Sequence, residues 1–458
     1  MNIRQRFLTL YRRIVSSSFL KSVLTLSSGV MIAQGINFLG MPVVGRVYNP
    51  AAIGDYTVIT ANANVIMSVA CLGMMTAFML PERNEEARGL TRLVTFSTLI
   101  ITTLSILGLW FCSGFYRIFH TEDAPYTLSL IVLWLYIVFY TVNNIGYAYV
   151  NRQKLYRVMF WNPILSAGIN VNCSIFFGLL DWGFLGYTAA HILALAATSL
   201  HLFHHANPYK KISDPSLHCL PLLKSYRRFL IYQMPSNLIA NVGQQLPVQM
   251  METLYSSSDL GLYSMARKIL SLPSLLLSTP INRVYYQEAS QRYNRGENIG
   301  AFSFGILQTN IKLALGPILL LILFGESLFS VFLGEQWRQA GTFAAVLGLY
   351  QLMLFCRDCL SGAPTIIRQN RINLYDAVVS LILNAVFFWA AWRYIGRPLT
   401  ILALLSAADT VRILVFQGIF LKLSGFKVSV YLSFVLRWVF LPVGLVWGLR
   451  LVVNSLFA

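Results

Sequence analysis

The chain has 458 residues, of which 56% are hydrophobic and only 11% charged, with a mean hydropathy of +0.62. A soluble domain carries about 25% charged residues, so this composition excludes a globule in water and suits a chain facing lipid. The net charge of +18 would suit nucleic acid, but the charges sit between long apolar runs rather than along an amphipathic face, which excludes nucleic acid as a partner.

The basic start (Arg4, Arg6, Arg12, Arg13) reads as a short cytoplasmic arm over 1–21. The apolar run after it is too long for a signal peptide and lacks a cleavage site. A helix needs about 20 mostly apolar residues to span a bilayer, and backbone groups in lipid must pair within their own segment, so the apolar runs are helices. They fall at 22–44, 53–79, 91–114, 126–150, 158–179, 182–203, 229–251, 260–282, 302–325, 340–362, 374–395 and 398–421. A further apolar stretch, 428–456, carries Arg437 and Arg450 and reads as a thirteenth span or an interfacial helix. The expected fold is an all-α polytopic membrane protein of about twelve spans.

Charge bias sets the orientation. With the N-terminus cytoplasmic, the inner segments hold 23 Lys/Arg and the outer loops five (Arg46, Arg117, Arg338, Arg393, Arg397). The inverse topology reverses this bias. The stretch 204–228 holds His204, His205, Lys210, Lys211, Pro208, Pro215 and Pro221 and reads as a cytoplasmic linker, with no metal expected at its histidines. Five of the six cysteines lie in apolar runs. The spacing Cys356-Arg357-Asp358-Cys359 lacks a second CxxC or a histidine pair, so these thiols read as packing residues rather than a metal or redox site.

A repeat is visible at an offset of 207 residues. Tyr48, Gly54 and Tyr56 fall on Tyr255, Gly261 and Tyr263, Ile53 on Leu260, and Arg88-Gly89 on Arg295-Gly296. Gln34 and Asn37 fall on Asn241 and Gln244. An offset of six spans keeps the membrane orientation, so the halves are expected to be parallel repeats about an axis along the membrane normal, with a transport path between them. The expected organisation is an N-lobe over 22–203, the linker, a C-lobe over 229–421 and an extra segment over 422–458.

Seven basic residues remain inside the runs: Arg267, Lys268, Lys312, Arg357, Arg412, Arg437 and Arg450. A charge at a span centre costs at least about 2.5–3.5 kcal/mol, so a wet cavity or specific partners are expected. Asp358 and Asp409 are the intramembrane acids, candidates for ion pairing or coupling. Asp409 and Arg412 share a helix face and are expected to pair. Arg357 and Asp358, as neighbours about 100° apart on a helix, are not expected to bond directly. Ser264, Arg267, Ser271, Ser274 and Ser278 recur at helical spacing as one polar face. Gln34 and Asn37 in the first span, Asn64 in the second, and Asn241, Gln244 and Gln245 in the seventh add amides. Amides donate and accept, which suits sugar hydroxyls. Cations (Arg267, Lys268, Lys312, Arg357, Arg412) suit phosphate. The competing role for such groups is hydrogen-bonding between helices.

The segments SSGVMIAQGINFLGMPVVGRVYNPAAIGDY (27–56), YRRFLIYQMPSNLI (226–239), SSSDLGLYSMARKILSLPSLLLSTPINRVYYQEAS (256–290) and FLGEQWRQAG (332–341) resemble the Wzx-type flippases of bacterial polysaccharide and O-antigen assembly. These belong to the superfamily that also holds the drug-extruding MATE transporters. The resemblance covers about residues 20–421. It implies two pseudo-symmetric six-helix lobes, a bacterial inner-membrane location, and an undecaprenyl-diphosphate-linked oligosaccharide as substrate, turned from the cytoplasmic to the periplasmic leaflet. Membrane lipids, a polysaccharide polymerase and a chain-length regulator are the implied partners, and no cofactor is implied. There is no Walker A motif, HExxH or nucleophile motif, so an enzyme is not expected. A MATE-like drug or cation exporter is the alternative, but it needs a central carboxylate, and spans one to six place Asp55, Asp123 and Asp181 only at their ends. A polymerase would carry a large outer loop, and the outer loops here are short. A scaffold would leave the buried charges unexplained.

Overall fold

The computed structural model describes residues 18–81, 83–111, 125–209, 219–369, 371–394 and 396–457. Residues 1–17 of the basic arm, Arg117, Asp123, Lys210, Lys211 and Pro215 lie outside them. Among the described residues the structure is helical without strands. In chain order come α1 (Ser18–Val47), α2 (Pro50–Ala70), a 3-10 turn (Met74–Met79), α3 (Asn84–Phe111), α4 (Tyr126–Arg152), α5 (Tyr156–Leu179) and α6 (Gly183–His205). A short α7 (Cys219–Ser225) leads to α8 (Met234–Leu254), α9 (Ser257–Leu270), α10 (Thr279–Asn294) and α11 (Gly300–Leu333). The chain closes with α12 (Arg338–Cys359), α13 (Arg371–Tyr394), α14 (Pro398–Leu423), α15 (Val428–Val435) and α16 (Leu441–Phe457).

Nine of the described helices are long and apolar enough to cross a bilayer. The chain is therefore a multi-pass membrane protein, although length and apolarity alone do not reach the expected twelve. The helices that fall short are α2, α5 and the rods around α8 and α9, which carry Asn64, Asn170, Asn241 and Arg267. In the C-terminal stretch, Val428–Arg450 is among the nine and is long and apolar enough to cross a bilayer.

Proline explains where the rods are irregular. Three π turns, Phe229–Gln233, Ser274–Ser278 and Leu436–Phe440, each end two residues before a proline: Pro235, Pro280 and Pro442. Proline offers no N–H and its ring clashes with the carbonyl four residues back, so the ladder widens there. The second of these turns breaks the expected polar face. α9 ends at Leu270, and the serines bond their own helix: Ser264 donates to the Gly261 carbonyl at 3.0 Å and Ser271 to the Lys268 carbonyl at 2.9 Å. The serines over 264–278 therefore do not lie on one regular helix; Ser264, Ser271 and Ser278 back-bond to their own helix, whereas the Ser274 hydroxyl is buried without a hydrogen-bond partner.

The chain divides into two compact units, Met1–Tyr48 with Val58–Val242, and Asn49–Thr57 with Gly243–Ala458. In the first, α1 packs along α5, and α6 packs on α4 and α5. Tyr48 is buried there, donates to the Ser174 carbonyl at 2.8 Å and meets Tyr187 edge-on. The end of the linker docks on the same unit. Leu222 joins a buried cluster with Cys71, Met74, Phe78, Leu90 and Val94, and the Tyr226 hydroxyl donates to Glu86 at 2.9 Å. Burial, then the hydrogen bond to the Glu86 carboxylate, pushes the Tyr226 phenol up to about 12.

In the second unit α12 is central, packed against α9, α11 and α14, while α16 lies on α11. A Cβ on Gly341 would run into the backbone of Gly325, so α11 and α12 touch backbone to backbone. A second close crossing joins the start of α2 to α9. A Cβ on Gly54 would strike the Ser257 carbonyl, and one on Gly261 would strike the Pro50 carbonyl. Pro50 and Ser257, like Gly54 and Gly261, stand 207 residues apart. The contact is reciprocal under that offset, the pattern a twofold relation between two segments produces.

Candidate substrate-handling sites

The N-terminal unit carries a half-open cavity of about 230 Å³. α1 supplies Gln34 and Asn37, α4 supplies Tyr136 and Tyr140, α5 supplies Asn170, and α6 supplies His191. These residues stand eight to fourteen positions from the helix ends at 47, 126, 179 and 183, about 12–21 Å along the axes at 1.5 Å per residue. That depth is well inside a core about 30 Å thick. Tyr136 and Tyr140, one helical turn apart, stack at 5.8 Å and 21°. His191 Nδ1 lies 2.9 Å from the Tyr187 carbonyl, which can only accept, and its Nε2 lies 3.3 Å from Asn170 Nδ2. The Tyr187 carbonyl thus places a proton on Nδ1, which donates to it. Asn170 Oδ1 is buried with no hydrogen-bond partner. Other amides of this unit act as glue: Asn143 donates to Thr198 Oγ1 at 2.7 Å and Asn162 to the Thr198 carbonyl at 3.1 Å.

The C-terminal unit handles polarity with charge. Arg412 is buried; its Nε donates to Asp409 at 2.8 Å and its Nη1 to Asp376. Arg357 reaches Asp376 at 3.5 Å and Asp358 at 3.3 Å. Three carboxylates and two guanidiniums thus tie α12, α13 and α14 together. Arg450 on α16 is buried against Glu326 of α11 at 2.5 Å and donates to the Ile322 carbonyl at 2.9 Å, while Thr342 donates to the same Glu326. Lys312 stands 5.5 Å from the Trp438 ring centre, a cation–π contact. Arg267 and Lys268 differ from all of these. Both are exposed on an α9 whose other face is buried, and among the described residues neither forms an ion pair. Arg267 lies beside Tyr263 and Tyr350. Asp259, at the start of the same helix, is engaged by Ser256, which donates to its carboxylate at 2.9 Å and caps its N–H.

A model of the polysaccharide biosynthesis protein family matches residues 18–341. The chain belongs to that family. The chain is also similar to the succinoglycan biosynthesis transport protein ExoT of Rhizobium meliloti (strain 1021), 21% identical over 321 residues. The match takes in 69% of this chain and 62% of the relative's length. Two solved structures share the fold at low identity. The lipid II flippase MurJ in an inward closed conformation matches with a TM-score of 0.66 at 12% identity, over 95% of this chain and 100% of its own. An inward-facing multidrug resistance MATE transporter of the MOP superfamily matches with a TM-score of 0.58 at 13% identity, over 87% and 95%. The family member described here thus has the MATE-like all-helical fold that its sequence resemblance implies.

The structure sorts the residues singled out in the sequence. Gln34 and Asn37 share the N-terminal cavity, whereas Asn64, Asn241, Gln244 and Gln245 do not line it. Arg357 and Arg412 are compensated by carboxylates, and Asp409 pairs with Arg412. The neighbouring Arg357 and Asp358 bond directly, against expectation. A guanidinium on three methylenes folds back across the 100° between adjacent positions, and Asp376 holds it there. Cys71, Cys356 and Cys359 are buried free thiols. Sequence reasoning missed Tyr136, Tyr140, Asn170 and His191, although a histidine in the middle of the span at 182–203 and tyrosines at i, i+4 were visible signals. It also missed Asp376 and Glu326, which stood at or just beyond span ends and looked solvated.

Proposed function

We propose that this protein is a flippase that moves undecaprenyl-diphosphate-linked oligosaccharides from the cytoplasmic to the periplasmic leaflet of the bacterial inner membrane. The product would feed O-antigen or a related surface polysaccharide, with the polymerase and the chain-length regulator acting downstream. The observation that carries this reading is the pair of adjacent exposed cations without carboxylate partners, Arg267 and Lys268, in a chain that pairs Arg357, Arg412 and Arg450 with carboxylates; Arg437 is also exposed without an ion pair among the described residues, but it stands alone. A diphosphate gains charge-assisted hydrogen bonds from such groups. Arg267 can grip two phosphate oxygens, while Lys268 acts as a point charge. Family membership supports transport in polysaccharide biosynthesis, and the bias of 23 to five basic residues supports a cytoplasmic N-terminus. Movement by alternating access is in keeping with the parallel repeat. A cation or drug exporter would need a carboxylate open to its cargo. Asp358, Asp376 and Asp409 are all engaged by arginine.

The test is complementation. In a strain lacking the protein, Arg267→Ala at normal abundance should lower surface polymer at least tenfold, and Arg267→Lys should restore it in part. Normal polymer from Arg267→Ala, Lys268→Ala and the double variant would remove the phosphate role.

A further inference from the structure

The cavity of the N-terminal unit is chemically unlike the cations assigned to the diphosphate. Its lining contains no Lys, Arg, Asp or Glu. A phosphate would find no cation there, and a cationic drug no carboxylate. The lining offers instead two features that together suit one class of ligand. The stacked pair Tyr136 and Tyr140 presents a flat apolar surface, the partner for the C–H face of a sugar ring. Around it stand Gln34, Asn37, Asn170 and His191, which both donate and accept and so match ring hydroxyls without a fixed charge.

Asn170 adds a second observation. Its amide nitrogen stands 3.3 Å from His191 Nε2, and its Oδ1 is buried without a hydrogen-bond partner. A buried unsatisfied acceptor costs about 1–3 kcal/mol, which a turn of the amide toward a ligand hydroxyl in the cavity relieves. The volume, about 230 Å³, lies below the ~300–1,000 Å³ of drug-sized pockets and suits a single monosaccharide.

We infer that this cavity is a subsite for one uncharged pyranose of the cargo, stacked on Tyr136 and Tyr140 and hydrogen-bonded by Asn37, Asn170 and His191. The inference deepens the flippase reading and rests on it: the C-terminal cations take the diphosphate, and this cavity reads the sugar.

The test uses the full-length protein in nanodiscs and saturation-transfer NMR with four methyl glycosides as probes, those of glucose, galactose, rhamnose and N-acetylglucosamine. At least one should receive saturation from the wild-type protein. Tyr140→Ala and the pair Asn37→Ala with Asn170→Ala should weaken that response at least fivefold. Tyr140→Phe, which keeps the ring and guards against misfolding, should stay within twofold of wild type. No response to any glycoside from the wild type, or equal responses from wild type, Tyr140→Phe and Tyr140→Ala, would overturn the subsite. Transport of a lipid-linked oligosaccharide in proteoliposomes separates the two readings. Transport without glycoside binding keeps the flippase and removes the subsite. Glycoside binding through Tyr140 without transport keeps the subsite and removes the flippase.

Discussion

The two units of this chain solve one problem differently. Both carry polar side chains at depths where lipid forbids unpaired ones. The N-terminal unit does it with neutral dipoles: Asn143, Asn162 and Thr198 join helices, and the remaining amides, tyrosines and His191 line a cavity. The C-terminal unit does it with ions, joining α12, α13 and α14 through five charged groups and fixing α16 to α11 through Arg450 and Glu326. Neutral partners are cheap to part; interhelical hydrogen bonds in a membrane average about 0.6 kcal/mol. Losing one member of a buried ion pair leaves an uncompensated charge and costs about 3–5 kcal/mol. The contrast separates the roles as well. Where charge is compensated it holds helices together, and the exposed pair on α9 is the part of the charge that the flippase proposal assigns to the diphosphate.

The largest effect expected is at Arg412. Its replacement by Ala strands Asp409 and Asp376 and should destabilise the protein by about 3–5 kcal/mol, seen as a lower thermal midpoint and poor recovery in detergent. A neutral outcome would break the comparison, because the network would then be ornamental. Second is Gly341→Leu, which forces side-chain volume into the backbone contact with Gly325 and should cost about 1–3 kcal/mol by overpacking, read from the same melts. Asn143→Ala should cost less than about 1.7 kcal/mol, the upper end for interhelical hydrogen bonds. A loss matching that of Arg412→Ala would erase the distinction between the units. Smallest is Tyr226→Phe, which removes the bond to Glu86 and should cost about 1 kcal/mol. The linker contact should also respond to pH. The phenol is raised from 10.0 to about 12, so its contribution is complete below pH 10 and is lost as pH rises through about 12. Protease sensitivity of the linker should rise across that window in the wild type, and Tyr226→Phe should flatten the change.

The spans were readable because each needs a run of about 20 apolar residues and lipid leaves the backbone no alternative. Helix breaks were readable in principle too, since Pro235, Pro280 and Pro442 each follow a π turn. Pairing was readable only where it is local. Asp409 and Arg412, three residues apart, declare their shared face. Asp376 with Arg412 and Glu326 with Arg450 do not, because α13 meets α14, and α11 meets α16, only through packing. The spacing argument failed at Arg357 and Asp358 because it treated side chains as rigid spokes. The serine face over 264–278 failed because it assumed one regular helix across Pro273 and Pro280. The N-terminal cavity was half legible: Gln34 and Asn37 stood out as amides in an apolar run, whereas tyrosines read as ordinary span residues until α4, α5 and α6 brought them beside Asn170 and His191.

The most direct test of the central claim is leaflet accessibility of a fluorescent undecaprenyl-diphosphate oligosaccharide in proteoliposomes holding only this protein. The wild-type protein should move the labelled lipid between leaflets many times faster than protein-free liposomes. The double variant Arg267→Ala with Lys268→Ala should fall close to the protein-free rate while remaining folded. Movement by the wild type no faster than in protein-free liposomes, or undiminished movement by the double variant, would contradict the account.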